Sequence, residues 1–225
     1  MNVIFRLELP HGRCVGVEIP AALDSALLSL KLPEQRHAAQ LSEVRRPSWV
    51  AGRVALRAAL DDLGIEAGPL LATDRGAPLM PEQVLGSISH KKELAVGLAA
   101  RRRGKVELGV DLERDAPLRI DISRRVLTER EFASLARLNP EARQSEVLLR
   151  LSCKESIYKA IDPYVRRYVG FQEAEVTPHP DGAAAVTLSL AEGDFTAEVF
   201  WQRKETAFGA FFLTSARVSP GKSLL

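Results

Sequence analysis

Apolar and polar positions alternate near the start of the chain, with Val3, Phe5, Leu7 and Leu9 on one face of an extended segment. The pattern predicts a strand over 3–9, and Val15 to Ile19, after His11-Gly12, predicts its hairpin partner. A helical stretch is expected from about Ala21, and Pro33-Glu34 opens another segment. From Ser48 to Leu63 the period lengthens, and Trp49, Val50, Val54, Leu56, Ala59, Leu60 and Leu63 recur at helical spacing. Ser48 is the expected N-cap and Gly64 the expected stop. Arg53 and Arg57, four apart, share one face of that helix.

Thr73 to Pro81 is rich in turn-forming residues and reads as a loop. Gly86 to His90 leads into Leu94 to Ala100, an apolar run expected as a buried strand, and Arg101 to Lys105 reads as a basic turn. Val106 to Glu113 predicts a further strand, and Ser123 to Leu138 and Glu141 to Ile161 predict two helices. Apolar positions from Val176 to Trp201, then Phe208 to Leu213, predict a closing antiparallel sheet, and the last six residues read as a frayed tail. The hexapeptide Lys92 to Gly97 matches Lys204 to Gly209 at Lys, Glu, Ala and Gly, about half a chain later. That echo suggests an α+β chain of two similar halves, residues 1–105 and 106–225.

Charge changes the picture by exclusion. With 31 basic against 29 acidic residues the net charge is +2, short of the basic excess of a general nucleic-acid binder, so an anion site must come from local placement. Cys14 and Cys153 lack zinc-ligand spacing and point to a reducing compartment. The first residues lack the basic and apolar regions of a signal peptide, and no apolar run reaches the roughly 20 residues that span a bilayer. A cytoplasmic location is expected.

Three segments carry candidate chemistry. In Gly109-Val110-Asp111-Leu112-Glu113 the two carboxylates lie two apart on one strand face, where like charges repel unless water or a cation separates them. Magnesium takes such hard oxygen ligands together with substrate phosphates, whereas the plain alternative is a solvated acidic face. In Lys154-Glu155-Ser156-Ile157-Tyr158-Lys159 the spacing of Glu155 and Lys159 fits a surface ion pair of about 0.2–0.5 kcal/mol, or a third carboxylate with lysines for phosphate oxygens. In Gly86-Ser87-Ile88-Ser89-His90 small and hydroxyl residues would let backbone amides approach an anion, with His90 as a further donor, or else the segment is a plain strand entry. Arg101 to Lys105 could bind nucleic acid but fits a solvated turn better.

In this order and spacing the segments resemble the 4′-phosphopantetheinyl transferases of the larger, monomeric class. That family joins a Gly-[Val/Ile]-Asp-x-Glu strand to a later Lys-Glu-Ser/Ala-x-x-Lys helix, with a Ser-His motif and an Arg-Gly-x-Pro loop upstream. Lys154 to Phe171, and Ala51-Gly52-Arg53, look most like the enterobactin-synthase-associated branch, which serves siderophore and related secondary-metabolite synthesis. The resemblance spans roughly residues 45–175. It implies a pseudo-twofold fold with coenzyme A and magnesium in the cleft between two halves. It implies that Asp111, Glu113 and Glu155 hold the metal and that Lys154 and Lys159 contact the pyrophosphate. Ser89 and His90 would meet the nucleotide's phosphates, Arg53 the 3′-phosphate, and Arg75 to Pro78 would lie along the adenine. Glu131 matches a family acidic position. Two positions depart from the pattern: Leu151 stands where many members have Trp, and Ala77 where many have Lys.

The reaction so implied is attack by a carrier-protein serine on the β-phosphorus of coenzyme A, releasing 3′,5′-ADP, with Asp111, Glu155 and Lys159 as catalytic groups. The partner is an acyl or peptidyl carrier protein presenting an acidic helix, for which Arg124, Arg125, Arg166 and Arg167 are candidate contacts. The rivals are a metal-dependent phosphodiesterase acting on a nucleotide and a non-catalytic nucleotide-binding module.

Overall fold

The computed structural model describes residues 1–20 and 23–221. The chain divides into two compact units, Met1–Gly104 and Lys105–Leu225.

The first unit contains β1 (Val3–Leu9), β2 (Gly12–Glu18), α1 (Asp24–Leu28), α2 (Leu32–Gln40), α3 (Arg46–Asp62), β3 (Val84–His90) and β4 (Leu94–Arg101). Its antiparallel sheet has the order β1-β2-β4-β3. Helix α3 lays Ala51, Ala55, Leu56, Ala59 and Leu60 against Val15, Val17, Ala95 and Ala99. Small residues bring helix and sheet close, and Gly97 of β4 brings them closest: a Cβ there would lie 2.3 Å from the Leu56 nitrogen. Two expectations shift. Helix α3 starts earlier than Ser48, with Pro47 in its first turn where a missing N–H costs nothing, and Gly64 follows its end at φ 65°. The Gly86 to His90 segment is itself strand, imposed on weak strand formers by pairing with β4. The helix expected from Ala21 begins on a position outside the described residues; α1 starts at Asp24. Most of the expected tail, 222–225, also lies outside them.

The second unit contains β5 (Glu107–Arg114), α4 (Ser123–Val126), α5 (Glu129–Ser134), α6 (Pro140–Val165), β6 (Ala174–Pro178), β7 (Ala183–Leu188), β8 (Phe195–Thr206) and β9 (Gly209–Pro220). Its antiparallel sheet has the order β5-β9-β8-β7-β6. The helix expected over 123–138 breaks in two because Thr128 caps α5, accepting from the Glu131 N–H at 3.2 Å while its own N–H donates to the Glu131 carboxylate at 2.6 Å. Helix α6 is capped by Asn139, which accepts from the Ala142 N–H at 2.8 Å. It packs Leu149, Cys153, Ile157, Ala160 and Ile161 against Val176, Val199, Phe212, Ala216 and Val218. The hexapeptide echo does not mark equivalent structure: Leu94 to Gly97 lies inside β4, whereas Thr206 to Gly209 forms the β8–β9 turn.

Candidate active site

In the second unit the site begins with a glycine. Gly109 of β5 faces α6 so closely that a Cβ would lie 1.8 Å from the Ser156 carbonyl oxygen. Alternation then turns Asp111 and Glu113 toward the same helix. Asp111 is 6% exposed. Its Oδ2 accepts from the Ser152 hydroxyl at 2.9 Å and its Oδ1 from the Lys159 ammonium at 2.7 Å. Lys159 also donates to the Val110 carbonyl at 2.9 Å. Thr214 of β9, opposite Asp111 in the register, donates to the Ser152 carbonyl at 2.8 Å. A knot of Asp111, Ser152, Thr214 and Lys159 therefore ties α6 to β5 and β9.

Ser152, Glu155 and Lys159 occupy one stripe of α6, at spacings of three and four, and Glu155 is half-buried. Glu113 is half-buried on β5 and accepts from the Arg114 N–H at 3.2 Å. Among the described residues no three His, Cys, Asp or Glu groups gather as a metal site. Lys159 and Ser152 engage both oxygens of Asp111. The donor chemistry nevertheless fits a hard divalent ion. Both strand carboxylates offer oxygen, and the ammonium bonded to Oδ1 shows that the position already holds a positive charge.

Lys154 departs furthest from expectation. It is wholly buried, and its three N–H groups go to the Val126 carbonyl at 2.8 Å, Glu131 Oε2 at 2.7 Å and the Phe171 carbonyl at 2.9 Å. No donor remains for a pyrophosphate, so the pairing with Glu131 is internal. Burial lowers the Lys154 pKa, and the hydrogen bond to Glu131 opposes that shift. Glu131 also accepts from the Val176 N–H at 2.7 Å, so the family acidic position joins α5, α6 and β6. Lys159, one residue beyond a helical turn, has only two of its three N–H groups engaged.

Of the arginines expected on a docking surface, Arg167 is not free. It donates to both oxygens of Glu173 and both of Glu192 over 2.6–3.0 Å. These bonds lift its pKa and lower those of both glutamates. Arg124 and Arg125 are exposed, with Arg124 stacked 3.7 Å over the Phe132 ring. Arg166 is exposed, at φ 49°.

In the first unit Arg53 is 5% exposed on α3, donates from Nε to the Leu70 carbonyl at 3.2 Å, and lies 4.2 Å over the Trp49 ring. Its Nη2 has no partner, and burial pulls the guanidinium down to about 10 against the opposing pull of Glu34. A buried guanidinium with a spare donor suits an anion. Ser89 and His90 are successive on β3 and project to opposite faces: Ser89 is buried and His90, on the α3 side, is exposed. Arg75 is exposed on a turn closed by the Ala72–Pro78 bridge.

Sequence reasoning missed Ser152 and Thr214. The one available signal was a serine on the apolar stripe of a long helix, a position that needs a partner. It also missed the orientation of Lys154, because burial of one lysine and exposure of another a few residues on depends on how α4, α5 and β6 close over the helix.

Two family models match the chain: 4′-phosphopantetheinyl transferase N-terminal domain over residues 33–100, and 4′-phosphopantetheinyl transferase superfamily over 107–213. The chain is 35% identical over 170 residues to the 4′-phosphopantetheinyl transferase Svp of Streptomyces mobaraensis, covering 74% of this chain and 68% of that protein. It is 31% identical over 160 residues to enterobactin synthase component D of Salmonella typhi, covering 66% of this chain and 61% of that one. A holo-(acyl-carrier-protein) synthase structure from Bacillus anthracis matches 51% of this chain and 96% of its own, at 19% identity and a TM-score of 0.41.

Proposed function

Since this chain belongs to the 4′-phosphopantetheinyl transferase superfamily, we propose that it transfers the phosphopantetheine arm of coenzyme A to a serine of an acyl or peptidyl carrier protein. The observation that carries the reading is the knot at Asp111. A nearly buried carboxylate is fixed by Ser152 and Lys159, with Glu155 on the same helix stripe. Buried polar groups on a helix–sheet seam cost stability unless each is satisfied, and their retention points to chemistry.

In the reaction the carrier serine Oγ forms a bond to the β-phosphorus, and the bond from that phosphorus to the bridging oxygen breaks. The product 3′,5′-ADP leaves with the electron pair. Glu155, half-buried and acceptor-only when ionised, takes the serine proton. Lys159 brings its ammonium charge to the phosphate oxygen that gains charge. Asp111, Glu113 and Glu155 would hold magnesium, which supplies charge neutralisation at the pyrophosphate oxygens. Arg53 offers its unpartnered Nη2 to a phosphate of the nucleotide, with Arg75, Ser89 and His90 as further candidates. Lys154 has no part in binding the substrate.

Intact-protein mass spectrometry of several apo-carriers incubated with coenzyme A and magnesium tests the reading. The expected result is a gain of one phosphopantetheine on the carrier, with Asp111→Asn slower by roughly a hundredfold. Loss of coenzyme A without any mass gain on a carrier would replace transfer with phosphodiester hydrolysis.

A further inference from the structure

We propose that Lys159 is the resident counter-ion of Asp111, and that a divalent cation reaches Asp111 only by displacing it. The inference rests on the reading of Asp111 as a metal-binding carboxylate. Two observations carry it. The Lys159 ammonium lies 2.7 Å from Asp111 Oδ1, and both side chains are partly withdrawn from water, at 31% and 8% exposure. The second bond, to the Val110 carbonyl on the same strand, fixes that ammonium against β5 rather than leaving it to wander. The remaining oxygen, Oδ2, is held by Ser152, so Oδ1 is the atom contested.

Two cations cannot share one carboxylate oxygen at contact distance without strong repulsion. The metal-free protein therefore holds Asp111 in place beside an internal cation, so the carboxylate is not desolvated alone. Whatever draws Lys159 away opens Oδ1. A phosphate of the substrate is such a ligand, since an ammonium binds phosphate oxygens as a point charge. Phosphate and metal then bind with positive coupling, each favouring the state in which Lys159 has left Asp111.

The test measures Mn²⁺ affinity of the full chain by electron paramagnetic resonance without nucleotide, comparing wild type, Lys159→Met, Lys159→Arg and Asp111→Asn. Lys159→Met keeps the side-chain length, removes the charge, and is expected to bind Mn²⁺ on the order of tenfold more tightly, the size of one charge-assisted bond no longer broken. Lys159→Arg keeps a cation on Oδ1 and is expected to bind no more tightly than wild type. Asp111→Asn is expected to abolish the gain when combined with Lys159→Met. Equal or weaker binding by Lys159→Met, or tightening by Lys159→Arg as well, overturns the proposal. Binding in every variant that ignores Asp111 overturns the metal assignment too. Failure of transfer itself is read separately, from the carrier mass. Thermal melts of each variant identify any that are unfolded, and Lys159→Gln then repeats the comparison in place of Lys159→Met.

Discussion

The two units are built on one plan and differ at one seam. In each, a long helix crosses an antiparallel sheet over a strand glycine: α3 over Gly97 and α6 over Gly109. In each, a buried glutamate at the third position of a short helix accepts its own cap N–H, a cation from the long helix and a distant backbone N–H. Glu34 takes the Lys31 N–H at 2.7 Å, Arg57 at 2.8 Å and the Leu70 N–H at 3.0 Å. Glu131 takes the Thr128 N–H, Lys154 and the Val176 N–H. The seams themselves part company. Helix α3 meets its sheet with alanines and leucines, whereas α6 meets β5 with Ser152, Ser156 and Lys159 around Asp111. The lesson is that the shared scaffold carries stability in both units, and polar groups enter the seam in only one of them.

The strongest way to break this comparison is to strip the cation from each buried glutamate. Lys154→Met leaves Glu131 charged and unpaired, at an expected cost of about 3–5 kcal/mol in denaturant unfolding. Arg57→Met should cost less, about 1–3 kcal/mol, because the Arg57 side chain is 16% exposed and water can reach the gap. Adding Glu131→Leu to Lys154→Met should recover part of the loss. A folded, stable Lys154→Met with a slow reaction would mean that Lys154 serves the substrate after all.

Next in size are the crossings. Gly97→Ala and Gly109→Ala each drive a methyl into helix backbone and should cost about 1–3 kcal/mol or more. They sharpen the contrast because only Gly109→Ala should also disturb Mn²⁺ binding, by lifting Lys159 and Ser152 off Asp111. Equal effects of both on metal binding would contradict the division of labour.

The smallest effect is a pH dependence at Arg167. Glu173 and Glu192 have folded pKa values below the ordinary range, the Arg167 hydrogen bond being the main cause. Depressed carboxyl values add stability above the unfolded pKa of about 4.3, and that stability is lost as pH falls through the folded values. Arg167→Met should therefore melt lower than wild type at neutral pH, with the gap closing in acid. A gap that persists in acid would assign Arg167 to packing.

Much of this plan was legible in the sequence. The apolar period marked α3, the alternation around Val110 and Leu112 marked β5, and the Asp111–Glu113 spacing gave the strand face on which the site is built. The Thr128-x-x-Glu131 capping signature was also there, and reading it would have split the helix expected over 123–138. What could not be read is pairing across distance. Nothing in Lys-Glu-Ser says that the first lysine is swallowed by Val126, Glu131 and Phe171 while the one after the tyrosine reaches Asp111. Nor does Ser89-His90 show, without the β3 pairing, that the two residues look to opposite sides.

The order of strands in the second sheet has a consequence for how the protein is made. Strand β5, which carries Asp111, pairs with β9, the latest of its sheet to leave the ribosome. All three partners of Glu34 precede residue 105, so the first unit can close while the second is still being translated. Within its sheet the acidic strand gains its neighbour only when Thr214 emerges to take its place opposite Asp111.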